Sequence, residues 1–305
     1  MKIVFLGTPD FAVASLKAII DKGFDVVAVV TAPDKPAGRG MHLQFSPIKK
    51  FALEKNIPVL QPTKLKDELF INELKSYQAD IQVVIAFRML PEVVWNMPKL
   101  GTVNLHASLL PDYRGAAPIN WAIINGEKET GVSTFFLKHD IDTGDIILSK
   151  KVAITDEMNV GELHDILMNT GADVIVETLK SIENNSFQST PQKKESVKIA
   201  PKIFTEHCKV NWNNDGENIY NLVRGMCPYP GAFTELDGKM LKIFECEFIA
   251  EPAIQKLPSE ISTDGKSFLK FACKNGWINV KNVQLAGKKR MNIDELLRGY
   301  RLNGE

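Results

Sequence analysis

The first half of the chain alternates short runs that are apolar throughout with longer stretches that are apolar along one side. Residues 3–6, 26–30, 57–60, 81–86 and 102–106 are of the first kind, and residues 10–21, 47–55 and 67–77 of the second. Within 10–21 the apolar positions Phe11, Ala14, Leu16, Ala18 and Ile19 recur with helical spacing. A strand that is apolar on both faces must be covered on both faces, and a strand–helix–strand succession covers a parallel sheet in that way. The pattern predicts an α/β fold: a Rossmann-like, mostly parallel sheet with helices on both faces. A further helix is expected over 160–179.

Residues 186–202 break this rhythm. They are polar, with Lys193, Lys194, Lys198 and Lys202 against the single acid Glu195, which is the composition of a linker. Beyond them the strand-like runs 239–249, 266–273 and 277–285 are spaced by the turn pairs Asp237-Gly238, Asp264-Gly265 and Asn275-Gly276, and 218–224 reads as a helix. The expected organisation is an α/β domain over 1–185, a basic linker over 186–203 and a smaller, mostly β barrel or sandwich over 204–305. A second long interruption, 32–47, holds three prolines and Arg39 between glycines, and nothing in it supports regular structure. A loop of that length inside a compact domain points to function.

Lys plus Arg equals Asp plus Glu at 37 each, so a nucleic-acid partner would have to be met by a local patch and not by the whole surface. The four cysteines, Cys208, Cys227, Cys246 and Cys273, have no metal-ligand or disulfide spacing and are expected to be buried free thiols, as in a reducing compartment. A strand pattern begins at Lys2 and no apolar run nears about 20 residues, so neither a signal peptide nor a membrane span is expected, and the chain reads as cytoplasmic.

Chemistry concentrates where the strand 102–106 ends. Side chains alternate along a strand, so Asn104 and His106 share one face while Val103 and Leu105 share the other. The carboxyl ends of strands in an open α/β sheet are where ligands bind. A rigid loop follows (ASLLPDYRGAAP, 107–118), and later the turn Ile141-Asp142-Thr143-Gly144-Asp145. Asp142 is a candidate partner for the imidazole, since a carboxylate beside it favours its charged form. An asparagine amide can donate to a developing oxyanion. Ser108 lacks the accompanying base a nucleophile needs, which favours direct transfer to an incoming amine over a covalent acyl-enzyme. FLGTPDFA at 5–12 has one glycine where a dinucleotide fingerprint has three.

NLHASLLPDYRGAAP followed by IDTGD resembles the signature of the 10-formyltetrahydrofolate-dependent formyltransferases. FLGTPDFA, the loop PDKPAGRG at 33–40 and the C-terminal domain extend the resemblance over about residues 3–298, and are similar to the branch of that family that acts on methionyl-tRNA. The resemblance implies that the amine of methionine on initiator tRNA attacks the formyl carbon, with Asn104 and His106 steadying the oxyanion and Asp142 holding His106 charged and helping to move protons, without a metal. It implies a folate pocket between 85–91 and 138–144, with Phe87, Arg88, Met89, Leu90, Ser108, Leu109, Leu110, Pro111, His139, Asp140, Ile141 and Gly144 around the folate. Relatives often carry Ala-Tyr-Gly where this chain has Ala86-Phe87-Arg88; Arg88 faces either the folate's glutamate tail or solvent. The tRNA would be gripped by Arg39, Lys193, Lys194, Lys198 and Lys202, with Lys288, Lys289 and Arg290 as a second basic cluster on an OB-like barrel. A monomer is expected. Two other readings remain: a formyltransferase for an amino sugar nucleotide or another small amine, and a non-catalytic RNA-binding protein.

Overall fold

The computed structural model describes residues 1–37, 42–193 and 197–301. They divide into two compact units: one of Met1–Gly115, Thr130–Ala153 and His164–Ile199, the other of Ala116–Glu129, Ile154–Leu163 and the chain from Ala200 onward.

The elements run β1 (Lys2–Gly7), α1 (Asp10–Asp21), β2 (Asp25–Val30), β3 (Lys35–Ala37), β4 (His42–Gln44), α2 (Pro47–Glu54), β5 (Val59–Leu60), α3 (Glu68–Ser76), β6 (Ile81–Ile85), α4 (Glu92–Trp95), β7 (Thr102–His106), β8 (Arg114–Gly115), α5 (Pro118–Ile124), β9 (Glu129–Phe136), β10 (Ile146–Ala153) and α6 (Val160–Glu183). In the first unit seven of the described strands form one sheet in the order β10-β9-β7-β6-β1-β2-β5. The pairs β1–β2, β1–β6, β2–β5 and β6–β7 are parallel, and β9 runs antiparallel to β7. The order turns back at β1, with β2 on one side and β6 on the other, which is the switch point beside which open sheets bind ligands.

Both faces are covered, as the apolar strands require. One face packs Val4, Leu6, Ala28, Val30 and Val84 against Phe70 and Leu74 of α3 and Val94 of α4. On the other, α6 lies so close to β7 that a Cβ at Gly171 would sit 2.7 Å from a methyl of Leu105. The helices start where local chemistry satisfies their first N–H groups: the Ser46 hydroxyl accepts from Lys49 N ahead of α2, and Asp67 accepts from Leu69 N and Phe70 N ahead of α3.

The interruption at 32–47 is not wholly irregular. β3 and β4 pair antiparallel, Lys35 with Gln44 and Ala37 with His42. A two-stranded ribbon tolerates Pro36, because an edge strand can spare one N–H. The ribbon's base is fastened by the Thr31 and Ser46 hydroxyls, 2.9 Å apart, and by Lys49, whose ammonium bonds both Asp34 and Gln61. Arg39 lies outside the described residues, as does Lys194.

After β11 (Ile199–Ala200) the second unit contains a single 3-10 turn (Thr205–Cys208), α7 (Gly216–Met226), β12 (Ala232–Leu236), β13 (Lys239–Ala250), β14 (Ile261–Thr263), β15 (Leu269–Cys273), β16 (Gly276–Leu285), β17 (Met291–Asn292) and α8 (Ile293–Gly299). Its described strands make an antiparallel sheet in the order β12-β13-β16-β15-β14, with β17 on β16. Register shifts near Glu245 put bulges into β13, and bulges increase strand twist and curl a sheet towards a barrel. Inside the curl, Trp212 stacks on Phe271 with centroids 4.7 Å apart, among Ile219, Val223, Leu241, Ile243 and Val280. The four cysteines are buried free thiols, and burial pushes the Cys246 thiol up to about 12.

Candidate active site

β7 ends in the pair that alternation singles out. Val103 and Leu105 are buried, Asn104 is half-buried, and the His106 ring is buried at the strand's carboxyl end. Asn104 pairs across the sheet with Val84 and Phe135, and His106 with Ser133. The loop after β7 folds back so that the Tyr113 carbonyl lies 2.8 Å from His106 Nε2. A carbonyl can only accept, so Nε2 carries a proton and Nδ1 is the nitrogen left to exchange one. Nδ1 faces Asp142 Oδ2 at 3.8 Å. The same carboxylate oxygen accepts the Gly115 N–H at 3.0 Å. Asp142 itself is left-handed, at φ 54°, a conformation aspartate tolerates better than most residues.

The loop that carries Tyr113 is fastened from below. Ser133 Oγ accepts from Leu110 N at 3.1 Å and donates to Ser108 O at 2.8 Å. The buried Ser108 hydroxyl is spent on the Asp112 carbonyl at 2.6 Å, which fits no nucleophilic role. Ser133, the Tyr113 carbonyl and the Gly115 N–H are absent from the sequence reading, as is Gln192, whose amide nitrogen donates to the carbonyls of Asp142 and Gly144 at 2.9 and 2.7 Å.

A cleft of about 880 Å³ is lined by Leu65, Lys66 and the run 88–93, with none of Asn104, His106 or Asp142 in its lining. Met89 is exposed, Leu90 is buried, and Phe87 packs partly into the core. Arg88 is exposed and stands on the wall of this cleft. Its guanidinium donates to the carbonyls of Pro62 and, at 2.9 Å, Thr63. His139 joins the 137–145 turn to α4: its ring stands 3.6 Å from a Glu92 carboxylate oxygen and edge-on to Trp95. Asp140 and Ile141 are exposed on that turn, the Asp140 carbonyl accepting from Thr143 Oγ at 2.9 Å. Leu109 and Pro111 are half-buried and Leu110 is buried in the loop after β7. Gly144 admits no side chain: a Cβ there would lie 1.6 Å from the Phe136 carbonyl oxygen. Among the described residues no group of three His, Cys, Asp or Glu stands placed to hold a metal ion.

Of the basic residues, Lys193 and Lys198 are exposed on the first unit, with the Lys198 ammonium 5.8 Å over the Tyr113 ring. Lys202, on the second, lies 5.5 Å over Phe204. Lys288 and Lys289 are exposed, whereas Arg290 bonds Asn282 and stacks 4.3 Å over Phe244.

Residues 1–179 match the family described as formyl transferase, and residues 202–301 match its C-terminal domain. The chain belongs to the formyl transferase family. It is 52% identical to the methionyl-tRNA formyltransferase of Bacteroides fragilis, over 99% of this chain and 96% of that one. Against the methionyl-tRNA formyltransferase of Phocaeicola vulgatus the identity is 54%, over 99% and 96% of the two chains. Among solved structures, this formyl transferase superposes with a TM-score of 0.69 on an N-formyltransferase from Helicobacter canadensis in complex with folinic acid and dTDP-3-aminofucose, at 19% identity over 93% of this chain and 99% of that one. HypX from Aquifex aeolicus in complex with tetrahydrofolic acid gives 0.64, at 19% identity over 97% of this chain and 47% of that one. These two likenesses are of fold.

Proposed function

We infer that the chain transfers a formyl group from 10-formyltetrahydrofolate to the amino group of methionine carried by initiator tRNA. The observation that carries this reading is the kinship above 50% along nearly the whole length of methionyl-tRNA formyltransferases, through both domains and not the catalytic one alone. The formyl donor supplies an activated carbonyl carbon. The methionine nitrogen forms a bond to that carbon, the carbon's bond to N10 of the folate breaks, and one proton passes from the amine to N10. Asn104 donates its amide N–H to the carbonyl oxygen as charge gathers there, and His106 serves through Nδ1, its other nitrogen being held by Tyr113. Asp142 balances positive charge on the ring from 3.8 Å away. The cleft beside Arg88–Val93 has the size of a small-molecule site, and Lys66 on its wall suits a carboxylated folate tail. All three central residues come from one chain, so a monomer suffices. The reaction belongs in the cytoplasm, where charged initiator tRNA is met; among the described residues no helix is long and apolar enough to cross a membrane.

Labelled formyl from 10-formyltetrahydrofolate is expected to reach methionyl initiator tRNA and not amino sugar nucleotides. Transfer to the sugar and not to the tRNA overturns the acceptor, and transfer to neither leaves the RNA-binding reading. If Lys193, Lys194, Lys198 and Lys202 meet phosphates, tRNA affinity falls steeply with salt, and each Lys→Ala change shallows the log–log slope by about one. A flat salt titration removes that track from the proposal.

A further inference from the structure

Described residues on both sides of 194–196 in the polar segment after α6 are hydrogen-bonded to the first unit. Thr190 pairs with Ile146, the N–H of each donating to the carbonyl of the other at 2.8 and 2.9 Å. The Lys198 carbonyl accepts from Tyr113 N at 2.6 Å, and Lys198 N donates to Asp112 Oδ1 at 3.1 Å. Between these anchorages stands Gln192. Its Oε1 accepts from Arg114 Nε at 3.1 Å and Nη2 at 2.6 Å, while its Nε2 donates to the carbonyls of Asp142 and Gly144. One neutral amide therefore joins the two loops that deliver Tyr113 and Asp142 to opposite nitrogens of the His106 ring.

The chemistry of that contact is selective. A guanidinium only donates and a backbone carbonyl only accepts, so the joining group must accept on one side and donate on the other. Glutamine does both at this length. Glutamate keeps the arginine but turns a carboxylate on two carbonyl oxygens, and asparagine falls one methylene short.

We propose that Gln192 is a positioning residue for the transfer reaction, holding the left-handed Asp142 turn so that the carboxylate stands at His106 Nδ1. The proposal rests on the catalytic reading of Asn104, His106 and Asp142. It gives a segment singled out for its lysines a second role inside the catalytic unit.

The test is a double-mutant cycle on the full-length enzyme, following single-turnover formyl transfer to methionyl-tRNA. Gln192→Ala and Gln192→Glu are each expected to lower kcat about 10- to 100-fold, the scale of a misplaced reacting group, with KM for both substrates nearly unchanged. Asp142→Asn lowers kcat by itself, and in its background the Gln192 changes remove little more. Gln192→Glu is isosteric and keeps the Arg114 contact, so it carries the cycle if the alanine variant fails to fold. A Gln192 variant with normal kcat, or losses that multiply in full with Asp142→Asn, overturns the positioning role. Normal turnover by Asp142→Asn alone overturns the site assignment on which the role depends.

Discussion

A folded His106→Ala protein is expected to transfer formyl about 10²- to 10³-fold more slowly than the parent, the loss that follows removal of one oxyanion-stabilising group. The ring contributes through a single nitrogen. Nε2 is committed to the Tyr113 carbonyl, so only Nδ1 is left to meet the reacting oxygen or to exchange a proton. Replacement also removes that buried hydrogen bond, at a stability cost of about 0.5–1.5 kcal/mol. Thermal unfolding must therefore be followed beside turnover, so that loss of fold and loss of chemistry are read separately. Asn104→Ala, which removes the half-buried amide two residues earlier on the same face of β7, is expected to show a loss of similar size with less effect on stability. Near-normal turnover by either folded variant removes that side chain from the reaction.

The second large effect comes from a residue with no side chain. Gly144→Ala places a methyl 1.6 Å from the Phe136 carbonyl oxygen and 2.9 Å from the Phe135 ring. The nearer obstacle is the backbone of a buried strand, so the turn and not the strand must move. Asp142 is two residues away, and a shift of about 1 Å at its carboxylate costs on the order of 100-fold in rate. Gly299→Ala is the control: the added Cβ meets nothing within 4 Å. The pair should differ in kcat far more than in melting temperature. Equal turnover by the two variants would falsify the claim that the turn's shape is part of the machinery.

Much of the scaffold was legible because burial imposes period on sequence. α1 and β7 begin and end where apolar spacing puts them, and β7 carries Asn104 and His106 on one face by alternation alone. α6 runs to Glu183, past the expected stop at 179: its last turn carries a single apolar residue, the buried Ile182, between polar neighbours. The strand expected from residue 266 starts at Leu269: the Asp264 carboxylate accepts the N–H groups of Lys266, Ser267 and Phe268 and holds them in a turn. α5 and α8 went unread, although Pro118 at a first helical position and Glu295 three residues after Asn292 are start signals. The curl of the second sheet depends on bulges near Glu245, which no residue type announces.

The candidate site divides along the same line. Its side chains could be nominated from spacing, whereas what aims them is mostly main chain. The Tyr113 carbonyl and the Gly115 N–H have no signature in a sequence, because every residue but proline carries both groups. Gln192 escaped for a different reason. It lies among lysines in a segment whose composition reads as solvated, and hydropathy does not register a polar side chain whose hydrogen bonds are all internal.

The pinning of Thr190, Gln192 and Lys198 bears on how such enzymes can be recombined. Where two relatives are to exchange C-terminal domains, a join placed just after α6 would combine one parent's Asp142 turn with the other parent's glutamine. The loops about His106 would then be fastened by a foreign strap, however well each half folded. A join made after Ile199 keeps the strap with the loops it grew up beside, and leaves the exchanged piece free to differ in the acceptor it presents.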